Sequence, residues 1–233
     1  MTLPADGPRT VAIIPAHDEA DRVADVVRGA LAHLPVLVVD DGSADTTAAT
    51  AASAGATVLR QHPNQGKGAA LRAGFGRAIA DGYEAALTLD ADGQHDPADI
   101  PAFLSAWTSA ATGTVDLVIG RRDFSAMPPV RRLANELGGR AFSWAVGSHI
   151  PDNQSGYRLI SRRLMEAMAG STERGFEFEV EMIARCIRAG WGIGWVPIRT
   201  IYAGAPSHIR PWRHLRSFVR VVRVARRTVR GES

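Results

Sequence analysis

Two carboxylates one residue apart, Asp90 and Asp92, stand where the apolar run Ala85 to Leu89 breaks into the polar sequence Gly93-Gln94-His95-Asp96. In an extended chain residues i and i+2 share a face, so both acids present their oxygens together where a buried strand runs out. Paired carboxylates suit a hard divalent cation. Mg2+ or Mn2+ takes one or two protein carboxylates and completes its shell with water and phosphate oxygens. The chemistry indicated is the holding of a nucleoside diphosphate. The plainer alternative is a polar turn in which Asp96 caps a helix with Pro97 at its first position. That reading holds for Asp96-Pro97-Ala98-Asp99, and the stretch alone leaves both open.

Such acids need a frame. Thr10 to Pro15, Val36 to Val39, Thr57 to Leu59, Ala85 to Leu89 and Asp116 to Gly120 are continuous apolar runs, the pattern of strands buried on both faces. Helical patterns separate them: Val23 to Leu34, Asp45 to Ala54, and Lys67 through Leu71, Phe75 and Ile79. The cadence predicts an α/β fold, a mostly parallel sheet with helices on both faces. Ligands of such sheets bind beyond the carboxyl ends of the strands. His17 and Glu19, Asp40 and Asp41, Asp90 and Asp92, and Arg121 and Arg122 all fall there. Gly66-Lys67-Gly68 is not an ATPase phosphate loop, because position 61, where that motif needs glycine, is Gln. Lys67 is instead expected at the nucleotide edge.

The alternation breaks after residue 122. Residues 10–122 therefore read as the nucleotide half and 123–211 as the acceptor half of one domain, 1–211. Arg131 and Arg132 open a helix that runs through Leu137, Phe142 and Trp144 to Val146. A polar turn, Asp152 to Arg158, precedes the strand-like Leu159-Ile160. A helix through Ile183 and Cys186, a last strand from Ile193 to Ile201 and the basic loop Pro206 to Pro211 follow. The single Cys186 excludes an internal disulfide and reads as a buried structural thiol.

The 233 residues carry a net charge of +3, but the seven arginines and one glutamate of 212–233 hold +6, which leaves −3 for the rest. Arg213, Arg216, Arg220, Arg223, Arg227 and Arg230 recur at helical spacing, while Leu215, Phe218, Val219, Val222 and Ala225 form a second face. That pattern predicts a basic amphipathic helix lying on a membrane surface. Packing of the same apolar face on the domain is the alternative. No apolar run reaches the roughly 18 residues that cross a bilayer, and the first residues lack a signal peptide's apolar core. A cytoplasmic, peripherally membrane-associated protein is expected, and no base-reading motif points to nucleic acid.

Six motifs in order, Pro15-Ala16-His17-Asp18-Glu19, Val39-Asp40-Asp41-Gly42-Ser43, Gly66-Lys67-Gly68, Asp90-Ala91-Asp92, Gly120-Arg121-Arg122 and Ser155-Gly156-Tyr157-Arg158, resemble family 2 glycosyltransferases of the GT-A fold. The subgroup they resemble most is the dolichyl- or polyprenyl-phosphate mannose and glucose synthases, and the likeness runs from Val11 to Pro211. The resemblance implies that Pro15, His17, Glu19, Val39 and Asp41 cradle the base and ribose of a nucleotide sugar. It implies that Asp90 and Ala91 contact the donor, that Asp92 with Gln94 and Asp90 holds the metal, and that Arg122 reaches the sugar or the acceptor phosphate. This chain departs from the mannose synthases at His17, where they have Tyr, and near the C-terminus. There Tyr202 and His208, with Arg210 two residues on, stand where they place an Arg and a Lys on the diphosphate.

The implied reaction is metal-dependent, inverting transfer of a hexose from a GDP-mannose or UDP-glucose type donor to a lipid phosphate. A phosphate monoester, with its second pKa near 6, is anionic at neutral pH and needs cations rather than a base. Arg122, Arg131 and Arg132 suit it by bidentate pairing. Asp152 and Glu181 would serve as base if the acceptor were a soluble hydroxyl. A non-catalytic nucleotide-sugar sensor is a third reading, and the intact acidic pair speaks against it.

Overall fold

The computed structural model of the chain describes residues 9–109, 115–123, 129–199 and 222–231. Seven strands form one sheet: β1 (Thr10–Ala16), β2 (Val36–Asp41), β3 (Thr57–Gln61), β4 (Ala85–Thr88), β5 (Val115–Arg122), β6 (Arg158–Ser161) and β7 (Gly192–Ile198). Their order is β3-β2-β1-β4-β6-β5-β7. The helices are α1 (Val23–Leu31), α2 (Thr47–Ser53), α3 (Lys67–Ala80), α4 (Ile100–Thr108), α5 (Pro129–Val146), α6 (Arg162–Met168) and α7 (Glu177–Ala189).

Both faces of the sheet are covered, which is why its strands read as unbroken apolar runs. Val11 and Ile13 of β1 point into a core shared with α3, α5, α6 and α7. Ala12, Ile14 and Ala16 point the other way, against α1, α2 and α4. Helix α3 comes close because residue 74 is glycine: a Cβ there would stand 2.8 Å from Ile13 Cγ2 and 3.1 Å from Val39 Cγ2.

One strand departs from the parallel expectation. β6 runs antiparallel to both β4 and β5, with Arg158 level with Thr88 and Ile119. Helix α5 carries the chain away from the end of β5, and residues 147–157 bring it back to the same sheet edge. The reversed strand therefore starts where its neighbours end. Its N-terminal flank, Asp152 to Tyr157, meets the segments that follow β4 and the end of β5. Helix α6, which the sequence reading passed over, begins at once after β6, where Ser161 Oγ accepts from the Leu164 N–H as its cap.

Residues 222–230 are helical, with Ala225 fully buried and Val229 packed on the core beside α7. For this part of the tail the apolar face lies on the domain rather than on a membrane, since burying it against existing core removes it from water at once. Among the described residues no helix is long and apolar enough to cross a membrane.

Candidate functional site

The loops after β1, β2 and β4 and the start of α3 enclose a cleft of about 420 Å³, lined by Pro15, Ala16, His17, Glu19, Asp41, Asn64, Gly66, Lys67, Ala70, Asp90, Ala91 and Asp92. Its loops are tied together by short polar bonds. The Ser43 hydroxyl accepts from Asp18 N–H at 3.0 Å, Asp18 Oδ1 from Ala44 N–H at 2.8 Å, and Thr47 Oγ1 from Glu19 N–H at 2.8 Å. The β1–α1 and β2–α2 crossovers thus fix each other.

Asp41 lines the cleft and also shapes it. Its two oxygens accept the Gln65 and Gly66 N–H groups at 2.8 and 2.7 Å, shaping the entry to α3. Gly66 takes φ +95°, and a Cβ there would meet Arg174 O at 2.5 Å, so only glycine allows this approach. Val39 is fully buried in the core on the α3 side and does not line the cleft, because β2 is covered on both faces. Its side chain cannot cradle a base.

The acidic pair divides its work. Asp90 Oδ1 lies 2.6 Å from Lys67 Nζ, and Lys67 lies 3.3 Å from Glu179 Oε1. Burial works against the charge of Asp90, but Lys67, His95 and Arg158 together outweigh it and hold the carboxyl below its usual range. Burial likewise opposes the charge on Lys67, and Glu179 and Asp90 together raise its pKa above that of a free lysine. Beneath them His95 Nδ1 accepts from Asp90 N–H at 3.1 Å, and burial pushes the imidazole towards its neutral form. Asp92, by contrast, uses only Oδ1 among the described contacts, accepting Gln94 N–H at 3.0 Å in a tight turn at Gly93, φ +75°. Gln94 itself is exposed and stands outside the lining. Burial, and then the negative charge of Asp92, raise the pKa of Glu19, so two carboxylates face one another across the cleft.

A divalent cation fits this donor set. Asp92 offers hard oxygens with the Glu19 carboxylate near, and Asp90, though paired with Lys67, adds its own beside them. No group of three or more such ligands occurs among the described residues, so the rest of a shell must come from diphosphate and water.

Arg122 and Asp152 form one unit. Arg122 Nε and Nη2 donate to the two Asp152 oxygens at 2.8 and 2.9 Å, closing the end of β5 onto the segment that leads to β6. Glu181 lies outside the cleft, where Oε2 accepts from Ser171 Oγ at 2.6 Å and Oε1 from Arg185 Nε at 2.8 Å. Both acids expected as possible bases are therefore held by arginines. Arg131 and Arg132 lie on α5, but their side chains fall outside those described. Tyr202, His208 and Arg210 also lie outside the described residues. Cys186 is buried, its thiol pushed by that burial up to about 12, as a structural cysteine requires.

Glu179 was missed from sequence. It sits on the buried stripe of α7 with Met182, Ile183 and Cys186, and an acid on an apolar helical face was the signal available. Arg158 compensates the same region: its Nε and Nη2 donate to the Ser155 and Asn153 carbonyls at 2.8 and 3.2 Å, and Nη1 donates to that of Glu179. Gly156 completes the fit, since a Cβ there would lie 2.9 Å from both Asp90 Oδ2 and Lys67 Nζ.

Comparison with known proteins agrees with this geometry. Residues 11–168 match the model of glycosyl transferase family 2. The polyprenol monophosphomannose synthase of Mycolicibacterium smegmatis is 31% identical over 206 residues, covering 82% of this chain and 76% of that protein. The undecaprenyl-phosphate mannosyltransferase of Micrococcus luteus is 31% identical over 208 residues, 82% of each. The fold is that of glucosyl-3-phosphoglycerate synthase from Mycobacterium tuberculosis, solved with Mn2+, uridine diphosphate and glucosyl-3-phosphoglycerate, at a TM-score of 0.73 and 20% identity over 97% of this chain and 81% of that one. Matched through most of its sheet and its whole acidic cleft, the chain belongs to glycosyltransferase family 2.

Proposed function

We propose that this glycosyltransferase moves a hexose, with inversion, from a nucleotide sugar of the GDP-mannose or UDP-glucose type to a polyprenyl or dolichyl phosphate, using Mg2+ or Mn2+. The observation that carries the donor half is the cleft itself, which Asp90 and Asp92 line together with Pro15, His17, Glu19 and Lys67. Pro15, His17 and Ala91 offer surface to the nucleoside, and Asp92, Asp90 and Gln94 would hold the cation. The cation's chemistry is to offset the charge that develops on the departing diphosphate. Tyr202, His208 and Arg210 would close on that diphosphate from the C-terminal side.

The acceptor half rests on the lipid phosphates named for two relatives and on the pairing of Asp152 and Glu181. A hydroxyl acceptor needs a free base, and both candidates are engaged by arginines. A phosphate acceptor needs cations, which Arg131 and Arg132 would supply, with Arg122 shared between it and Asp152. Attachment to a membrane surface follows from the acceptor's lipid tail.

The test is transfer from radiolabelled GDP-mannose or UDP-glucose, with Mn2+, to a short-chain polyprenyl phosphate in detergent. Label in the organic phase that mild acid releases is the expected result. Label that stays out of that phase with both donors, while a soluble hydroxyl compound accepts it, overturns the proposal.

A further inference from the structure

The C-terminal helix and α5 create a surface that neither presents alone. Trp144 on α5 is 72% exposed, whereas Phe142, two residues earlier, is fully buried. The Arg226 guanidinium carbon sits 5.2 Å from the centre of the Trp144 ring, so the helix of residues 222–230 lies directly beside that ring. The helix is seated through Ala225 and Val229. Its remaining face carries Arg223, Arg226, Arg227 and Arg230, all exposed and spaced 3-1-3 along one stripe. Arg140, also exposed, precedes Trp144 by four residues and shares its face of α5. No acidic residue occurs between positions 138 and 148 or between 222 and 231.

We infer that Arg140, Trp144 and the arginine stripe of residues 222–230 form one docking surface for an anionic lipid bilayer, with Trp144 as the inserted side chain. The tail's apolar face is committed to the core here, so these residues alone cannot lie in a membrane as an amphipathic helix does. What the tail offers outward is charge, and the apolar anchor comes from α5. Tryptophan beside arginine is the pairing suited to a bilayer interface, where an amphipathic ring meets anionic headgroups. A nucleic-acid partner would account for the arginines but not for a lone exposed indole without a base-reading motif beside it.

The inference draws its biological sense from the proposed lipid acceptor, but its deciding readout, vesicle binding, needs neither donor nor acceptor. Full-length protein is mixed at low salt with vesicles of phosphatidylcholine containing 30% phosphatidylglycerol, a composition of roughly one charge in three lipids, and co-sedimentation is measured. Binding is expected to weaken by about fivefold for each arginine removed, and by about a further factor of that size for charge reversal at Arg226→Glu. Trp144→Ser is expected to lower binding on the order of tenfold, the scale of one indole face leaving the interface. Trp144→Phe should restore part of it. Nucleotide binding by each variant, which reports an intact fold, should stay unchanged. Wild-type protein that ignores such vesicles, equal binding by Trp144→Ser, or salt-sensitive binding to duplex DNA in place of vesicles overturns the inference. Transfer to polyprenyl phosphate in detergent without vesicle binding removes the surface alone. Vesicle binding without any transfer removes the acceptor assignment alone.

Discussion

Asp90 and Asp92 lie one residue apart in sequence yet do different work. Asp90 is compensated by Lys67 and part-buried, while Asp92 lies at the cleft with its charge felt by Glu19. Asp92→Asn is expected to leave the fold intact and reduce metal-dependent turnover by at least about 100-fold. Unchanged thermal melting beside lost Mn2+ dependence is the check. Asp90 contributes in a second way. Its folded-state pKa is depressed, so its stabilisation is present above its unfolded value near 3.9 and is lost as pH falls through the lower folded value. Acid unfolding of the wild type should therefore be steeper below about pH 4 than that of Asp90→Asn, measured by circular dichroism. Gly156→Ala tests the same pair from outside. The added Cβ would press on both Asp90 and Lys67, and Mn2+ affinity is expected to fall about tenfold, or about 1.4 kcal/mol, in a protein that still folds.

Among the elements, β6 decides how the acceptor half meets the donor half. Because it runs against its neighbours, Asp152 reaches the end of β5 and clasps Arg122. Asp152→Asn would leave Arg122 half-buried with a weakened partner, at an expected cost of about 2 kcal/mol, below the range for fully buried pairs. Chemical denaturation measures that cost directly. A general-base role for Asp152 predicts the reverse pattern, lost turnover with stability kept. Loss of stability together with a raised KM for the acceptor, and a nearly unchanged KM for the donor, is the outcome expected of a clasp.

At the scale of the whole molecule the described part of the basic tail, residues 222–230, packs on the domain. Deleting residues 212–233 uncovers the core around Ala225 and Val229 and removes the neighbour of Trp144. The deletion is expected to cost about 1–2 kcal/mol and to lower Tm by roughly 4 °C, given the small shift per kcal/mol in a domain of this size. Differential scanning calorimetry checks this. Nucleotide binding should persist, since the cleft is built from residues 15–92. A tail that touched only membrane would leave Tm where it was.

The sequence by itself determined the frame. Continuous apolar runs announced strands covered on both faces, and polar clusters at their carboxyl ends announced the edge where ligands bind, because both patterns depend on local periodicity. Thr10 to Ala16, Val36 to Asp41 and Asp90 to Asp92 were legible for that reason. Interactions between residues distant in sequence were not. The reversal of β6, the Lys67–Glu179 pair 112 positions apart and the Arg122–Asp152 clasp exist only once the sheet is assembled. The same holds for Val39, Asp41 and Glu181. Val39 is buried in packing, Asp41 shapes the loop into α3 while lining the cleft, and Glu181, weighed as a possible base, is held in an ion pair with Arg185. The tail shows the limit most plainly, since an apolar stripe specifies only that it must leave water. Whether it meets lipid or the protein's own core depends on which surface is nearest, and only the tertiary fold, which seats Ala225 on the core beside α7, decided it.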